Sequence, residues 1–316
     1  MSQARKLISI VTPVFNEEDN VQACHDAVRT LFAEKLPGYD YEHIFADNRS
    51  TDQTVAILRR IATDDKRVKV ICNARNFGPF QSVFHAILQT TGDATVALLA
   101  ADLQDPPEII VEFVRHWENG HEIAYGIRQN RDENAVMRFL RARYYDLIYR
   151  LTDIKLPAGV GEFQLIDRKV VDALRQVDDY YPYIRGLIAM CGFNSVGVPY
   201  TWRRRARGFS KNRLYHCIDQ GLNGLISFTK IPMRICMLIG IAVAAVSILS
   251  ALALVIVNII FYRQFAPPGI PTLIIALLFF SGLQLFFFGV LGEYLGAVHS
   301  QVRRRPLVVE RERINF

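Results

Sequence analysis

Apolar runs closed by polar clusters set the rhythm of the first third of the chain. Leu7 to Phe15 reads as a buried strand and gives way to Asn16-Glu17-Glu18-Asp19-Asn20. That acidic turn suits the start of a helix through Val21, Val28 and Leu31, because early carboxylates complement the helix dipole. A second strand is predicted from Tyr41 to Ala46, ending in Asp47-Asn48-Arg49-Ser50-Thr51-Asp52 before a helix with Val55, Ile57, Leu58 and Ile61. A third, Val68 to Cys72, runs into Asn73-Ala74-Arg75-Asn76-Phe77-Gly78 and a helix from Phe80 to Thr90. Thr91-Gly92-Asp93 opens a fourth, Ala94 to Leu99, which stops at Ala100-Ala101-Asp102-Leu103-Gln104-Asp105-Pro106-Pro107-Glu108. Strand alternating with helix predicts an α/β domain with a mostly parallel sheet and crossover helices. One more strand is expected from Ile123 to Ile127.

Open sheets of this kind bind ligands outside the carboxyl ends of their strands. Polar clusters after successive strands therefore point to a nucleotide site along one edge. Asp102, with Asp105, offers the carboxylates that a hard cation such as Mg²⁺ or Mn²⁺ takes alongside substrate phosphates. A plainer reading stays open: Asp47, Asp52 and Asn76 as turn residues, and Asp105 as cap of a helix begun by Pro106 or Pro107.

The later pattern is different. From Ile235 to Tyr262, and again from Gln264 to Gly292, no charged residue occurs. Each window exceeds the roughly 20 apolar residues needed to cross a bilayer, so two transmembrane helices are expected. Basic residues gather before the first (Arg203, Arg204, Arg205, Arg207, Lys211, Arg213, Lys230, Arg234) and after the second (Arg303, Arg304, Arg305). Arg263 alone lies between them. That asymmetry puts both termini in the cytoplasm of a two-pass protein of the inner membrane. The expected domains are 1–210 (catalytic), 211–232 (amphipathic, with Leu214, Ile218, Leu222, Leu225 and Ile226 on one face), 233–300 (membrane) and 301–316 (basic tail).

The formal charge of +6 is thus concentrated beside the membrane. Anionic lipid or lipid phosphate is the expected partner, and nucleic acid is not. Cys24, Cys72, Cys191, Cys217 and Cys236 lack ligand or disulfide spacing and read as buried thiols. The start of the chain carries no pattern of a cleavable signal peptide.

The motifs Thr12-Pro13-Val14-Phe15-Asn16-Glu17-Glu18, Asp47 to Asp52, Asn76-Phe77-Gly78 and Asp102 to Glu108 together resemble family-2 glycosyltransferases of the GT-A fold. The polyprenyl-phosphate branch, with dolichol-phosphate mannose synthases and bactoprenol glucosyltransferases, is the nearer match. The resemblance implies that Pro13, Glu17, Asp47 and Asn76 bind a nucleotide-sugar and that Asp102 is the last acid of an Asp-x-Asp metal motif. Ala100 departs from that motif by removing its first acid. Arg128 and Arg138 would contact the acceptor phosphate, as would Arg205, Ser210 and Lys211 of an Arg-x-x-Gly-x-Ser-Lys loop. Glu162, where an Asp is usual, would be the catalytic carboxylate, with a simple ion pair to Arg168 as the alternative.

The implied reaction moves a hexose, with glucose from UDP-glucose the first choice, to undecaprenyl phosphate at the cytoplasmic face. UDP-N-acetylhexosamine, UDP-formamidoarabinose and GDP-mannose are alternative donors. A rival reading is a weakened sugar-nucleotide scaffold for a partner flippase, motivated by Ala100 and Glu162. A processive synthase is disfavoured because its Gln-x-x-Arg-Trp motif is missing. Phe279-Phe280 and Phe286-Phe287-Phe288 would pack spans of a homo-oligomer.

Overall fold

A computed structural model describes residues 5–129, 160–203, 233, 236–243, 246, 249, 270–303 and 305–316. Residues 1–224 and 304–316 form one compact unit, and 225–303 form another.

The first unit is built on β1 (Lys6–Val14), β2 (Tyr39–Asp47), β3 (Val68–Asn73) and β4 (Ala94–Val96). These run parallel in the order β3-β2-β1-β4. Beyond β4 come β6 (Val160–Asp167), β5 (Ile123–Gln129) and β7 (Ser195–Thr201). β6 is antiparallel to β4 and β5, while β7 is parallel to β5. The mostly parallel α/β sheet expected from the sequence is therefore present.

Ile8, Ile10 and Val11 of β1 are all fully buried, so both faces of the central strand are covered. Helices supply that cover: α1 (Val21–Lys35), α2 (Thr54–Asp64), α3 (Pro79–Leu88), α4 (Ile109–Glu118), α5 (Arg168–Leu174) and α6 (Ile184–Met190). α1 buries Val21, Cys24, Val28 and Leu31, the spacing of one helical face. Each large side chain so buried contributes about 1.5–3 kcal/mol.

Two sequence expectations change. The fourth strand is shorter than predicted because the chain then splits its bonds between neighbours. The Ala97 amide donates to Gln164 O at 2.8 Å on β6, and the Leu99 amide to Val11 O at 2.8 Å on β1. The basic tail is also not simply a solvated tail. Glu310–Ile314 forms β8, which pairs antiparallel with β3 and closes that edge of the sheet. Charged side chains on an edge strand are compatible with pairing on one side and solvent on the other.

In the second unit, α7 (Ile270–Val302) is a helix of 33 residues. Its window Phe280–His299 is the one stretch among the described residues long and apolar enough to cross a membrane. Most of the first expected span lies outside the described residues; 236–243, 246 and 249 are helical.

Candidate active site

The carboxyl ends of β1, β2 and β3 are laced together by side chains that bond to backbone. The Asn16 amide donates to Ser50 Oγ at 2.9 Å, and the Glu17 amide to Thr54 Oγ1 at 2.9 Å. In return, Asn16 Oδ1 accepts from the Thr51 amide at 2.8 Å. These bonds join the loop after β1 to the loop after β2 and to the first residue of α2. Asp47 is fully buried and accepts the Ser50 amide at 3.1 Å. Asp52 and Asn76 accept the amides of Thr54 (3.0 Å) and Gly78 (2.8 Å). The turn-forming roles foreseen for these three residues are thus real, and all three lie on one edge.

Asn48 joins this edge to the loop after β3. Its Nδ2 donates to Asn76 Oδ1 at 2.9 Å, and its Oδ1 accepts from the Phe77 amide at 2.9 Å. Sequence reasoning gave Asn48 no role of its own; an amide immediately after a buried strand was the available signal. Gly78, at φ +87°, takes a conformation that side chains disfavour and turns the chain into α3. Beside it, the Arg75 guanidinium lies 3.9 Å from the Phe77 ring centre. A cavity of ≈ 350 Å³ opens there, lined by Arg75, Phe77, Tyr180 and, from the segment before β8, Arg305. Pro13 and Glu17 are half-buried on the same edge, with Glu17 Oε2 accepting from Asn20 Nδ2 at 2.6 Å.

After β4 the two expected metal acids part company. Asp102 is half-buried, and its Oδ1 accepts the Gln104 amide at 3.2 Å. Leu103 then bends the chain through φ +54°. Asp105 is turned inward and is 1% exposed. Its oxygens accept from Arg128 Nε (3.2 Å) and Nη2 (3.0 Å) and from the Tyr200 hydroxyl. It caps no helix, since α4 begins at Ile109 without a side-chain cap. Burial opposes the charge of Arg128, but Asp105 and Tyr200 together outweigh it and raise the Arg128 pKa above its ordinary value. Burial, then the Asp105 charge, raise the Tyr200 phenol and keep it protonated.

Among the described residues no three His, Cys, Asp or Glu side chains gather as a metal set. The donor set at Asp102 is thus a single half-buried carboxylate. That fits a cation whose remaining ligands are diphosphate oxygens and water, as Mg²⁺ prefers, and does not fit an all-protein cage.

Glu162 stands on β6, half-buried, with Arg185 Nε 3.7 Å from its Oε1. The alternative pairing with Arg168 does not form. Arg168 instead donates to the backbone oxygens of Gly92 and Thr90. Arg185 is itself held by the Tyr183 hydroxyl at 2.6 Å and Val160 O at 3.0 Å. Tyr200 and Arg185 went unassigned in the sequence because the acids they meet, Asp105 and Glu162, lie far from them along the chain.

Arg203 closes this side: its amide donates to Gln104 O at 2.9 Å, and its guanidinium lies 3.5 Å from Glu108. Arg205, Ser210 and Lys211 follow it in the sequence. Those three residues, and Arg138, lie outside the described residues.

Comparison with known proteins completes the picture. The profile described as "Glycosyl transferase family 2" matches residues 9–175. The chain is 34% identical over 301 residues to "Uncharacterized glycosyltransferase sll0501" of Synechocystis sp., covering 95% of this chain and 93% of that protein. It is 31% identical over 300 residues to the "Bactoprenol glucosyl transferase" of Shigella phage SfX, covering 95% and 97%. Among solved structures, glucosyl-3-phosphoglycerate synthase from Mycobacterium tuberculosis, in complex with Mn²⁺, UDP and phosphoglyceric acid, is 18% identical. That match covers 70% of this chain and 76% of that one, with a TM-score of 0.49.

Proposed function

Because the chain belongs to glycosyl transferase family 2 and is an enzyme that transfers a sugar, we propose that it glycosylates polyprenyl phosphate at a membrane surface. The donor is a nucleoside diphosphate sugar, with UDP-glucose first in order, and the acceptor is undecaprenyl phosphate. The observation that carries this reading is the match to a bactoprenol glucosyl transferase along 95% of the chain, a length that includes the apolar helix α7. That helix, together with the uncharged window from Ile235 to Tyr262, supports a two-pass anchor with the catalytic domain in the cytoplasm.

The chemistry follows from the residues along the edge. Pro13, Glu17, Asp47 and Asn76 bind the nucleotide, and Asp102 faces its diphosphate. An acceptor phosphate oxygen attacks the anomeric carbon as the bond to the diphosphate oxygen breaks, so configuration inverts. A phosphate monoester has a second pKa near ~6 and is already largely ionised at neutral pH. Glu162 therefore needs only to orient the acceptor and steady positive charge developing on the sugar. Arg128, with Arg138, Arg205, Ser210 and Lys211, holds the acceptor phosphate, a task to which arginine's fork is suited. A divalent cation held by Asp102 would neutralise charge on the departing diphosphate.

Purified protein with Mg²⁺ or Mn²⁺, UDP-[¹⁴C]glucose and undecaprenyl phosphate should yield one labelled sugar per lipid. Asp102→Asn should abolish that product. Tight nucleotide binding with no labelled lipid from any common donor would instead favour the scaffold reading, and full activity of Asp102→Asn would remove the metal assignment.

A further inference from the structure

We propose that Tyr200 and Asp105 are positioning residues for Arg128, forming a buried brace that presents its guanidinium to the acceptor phosphate. The proposal rests on the reading of Arg128 as a phosphate ligand, and it assigns Asp105 to the acceptor side of the site instead of to the metal.

The brace is built by the sheet. Arg128 and Tyr200 are register partners across β5 and β7. Tyr200 lies across β5 at Gly126, where an added Cβ would sit 2.5 Å from Tyr200 Cε1. No larger residue at 126 leaves room for that ring. The Phe163 ring meets Tyr200 edge-on at 5.8 Å between centres. The ring is thus fixed on two sides, and its hydroxyl is held at one place. From there it accepts from Arg128 Nε at 3.0 Å and donates to Asp105 Oδ1.

Asp105 takes the Nε–Nη2 edge of the same guanidinium through both of its oxygens. A carboxylate that is 1% exposed and committed in this way has no open face for a cation that keeps its waters. The guanidinium has more donors than this edge uses. Nη1 bonds to none of the described residues. Arg128 also lies over the backbone of Gly161, where an added Cβ would be 3.5 Å from its Cζ. One edge is therefore locked by the protein while the Nη1 side of the guanidinium is left to bind. Fixing a cation by a second set of bonds is how a binding group is preorganised for a phosphate.

The test uses the full chain in lipid vesicles with UDP-glucose, undecaprenyl phosphate and Mg²⁺. Tyr200→Phe keeps the ring and removes the hydroxyl. It should raise KM for the lipid phosphate about tenfold, the fold-change of one hydrogen bond to a charged group. KM for UDP-glucose and the Mg²⁺ concentration for half-maximal rate should stay at their wild-type values. Asp105→Asn should move the same constant further and again leave the Mg²⁺ dependence in place. In the Arg128→Ala background, Tyr200→Phe should add little, because it acts through the side chain already removed.

A shifted Mg²⁺ dependence in Asp105→Asn would return that residue to the metal and overturn the proposal. So would additive effects of Tyr200→Phe and Arg128→Ala, or a lowered melting midpoint with an unchanged acceptor KM. The Arg128→Ala variant separates the two levels. If it leaves acceptor KM unchanged, the phosphate reading of Arg128 has failed; if it raises KM while Tyr200→Phe and Asp105→Asn do not, only the positioning has failed.

Discussion

Two buried carboxylates sit at opposite ends of the sheet, and their partners separate what stabilises the fold from what serves the site. Glu42 lies near the start of β2 and is 3% exposed. It accepts from Lys69 Nζ (2.6 Å), Ser9 Oγ (2.5 Å) and the Thr91 amide (2.6 Å) and hydroxyl (2.9 Å). These bonds tie β1, β2, β3 and the turn before β4 together. Burial opposes its charge, but the Lys69, Ser9 and Thr91 bonds outweigh burial and lower its pKa. The Lys69 ammonium is also 5.3 Å from the Phe316 ring. Asp105 is buried as deeply, yet its cation keeps an edge uncommitted among the described residues. The same ion-pair chemistry serves both ends, and the difference lies in the setting: Glu42 ties three strands together near their amino ends, whereas Asp105 braces an arginine at the carboxyl edge.

The largest effect that sharpens this contrast should come from Glu42→Ala. Removing one member of a buried pair leaves an uncompensated charge and costs about 3–5 kcal/mol. Thermal or denaturant unfolding of the full chain should show that loss, while acceptor KM of the surviving folded enzyme stays at its wild-type value. A changed acceptor KM with unchanged stability would break the comparison, because Glu42 would then act at the site.

A smaller effect should come from pH, through a residue between the two ends. His43 is fully buried on β2, with Nε2 2.9 Å from Thr12 Oγ1. Burial pushes its pKa from 6.5 down to about 3. The folded chain keeps this ring neutral, whereas the unfolded chain protonates it below 6.5. Unfolded molecules therefore bind more protons between those values, and stability falls as pH drops through that window. From this group the slope is up to about 1.4 kcal/mol per pH unit. Melting midpoints at pH 7.5 and 5.5 should differ accordingly, and His43→Gln should flatten the difference. Equal slopes in the two proteins would mean that His43 is not the group responsible.

The contrast also shows what the sequence could and could not reveal. The edge proposed for the nucleotide was legible as a polar cluster because its residues follow directly after predicted strands, and the strand order then brings Asp47, Asn76 and Glu17 to one side. The fate of Asp105 was not legible, because its partner Tyr200 is 95 positions away and is seated by a glycine on a third strand. Asp102 and Asp105 look equivalent in the motif, and the left-handed bend at Leu103 between them is followed by their different burial. The β8 strand escaped for another reason. Glu310-Arg311-Glu312-Arg313 carries the charge pattern of a solvated tail, and only pairing with β3 makes it part of the fold.

The smallest predicted effect tests strain at the edge that serves the site. Asn16, Arg49 and Leu103 all have positive φ, at +54°, +70° and +54°, and all lie in loops after β1, β2 and β4. Asparagine visits this region readily, but an arginine or leucine there is disfavoured by roughly 1–2 kcal/mol. Leu103 packs against the core, which offsets its strain, whereas Arg49 is exposed. Arg49→Gly should relieve its strain, less the entropy that glycine gains in the unfolded chain, for a net gain of about 0.5 kcal/mol. The melting midpoint should rise by about 1–2 °C. A fall instead would mean that Arg49 makes contacts worth more than its strain, and an accompanying rise in KM for the nucleotide-sugar would place those contacts at the donor.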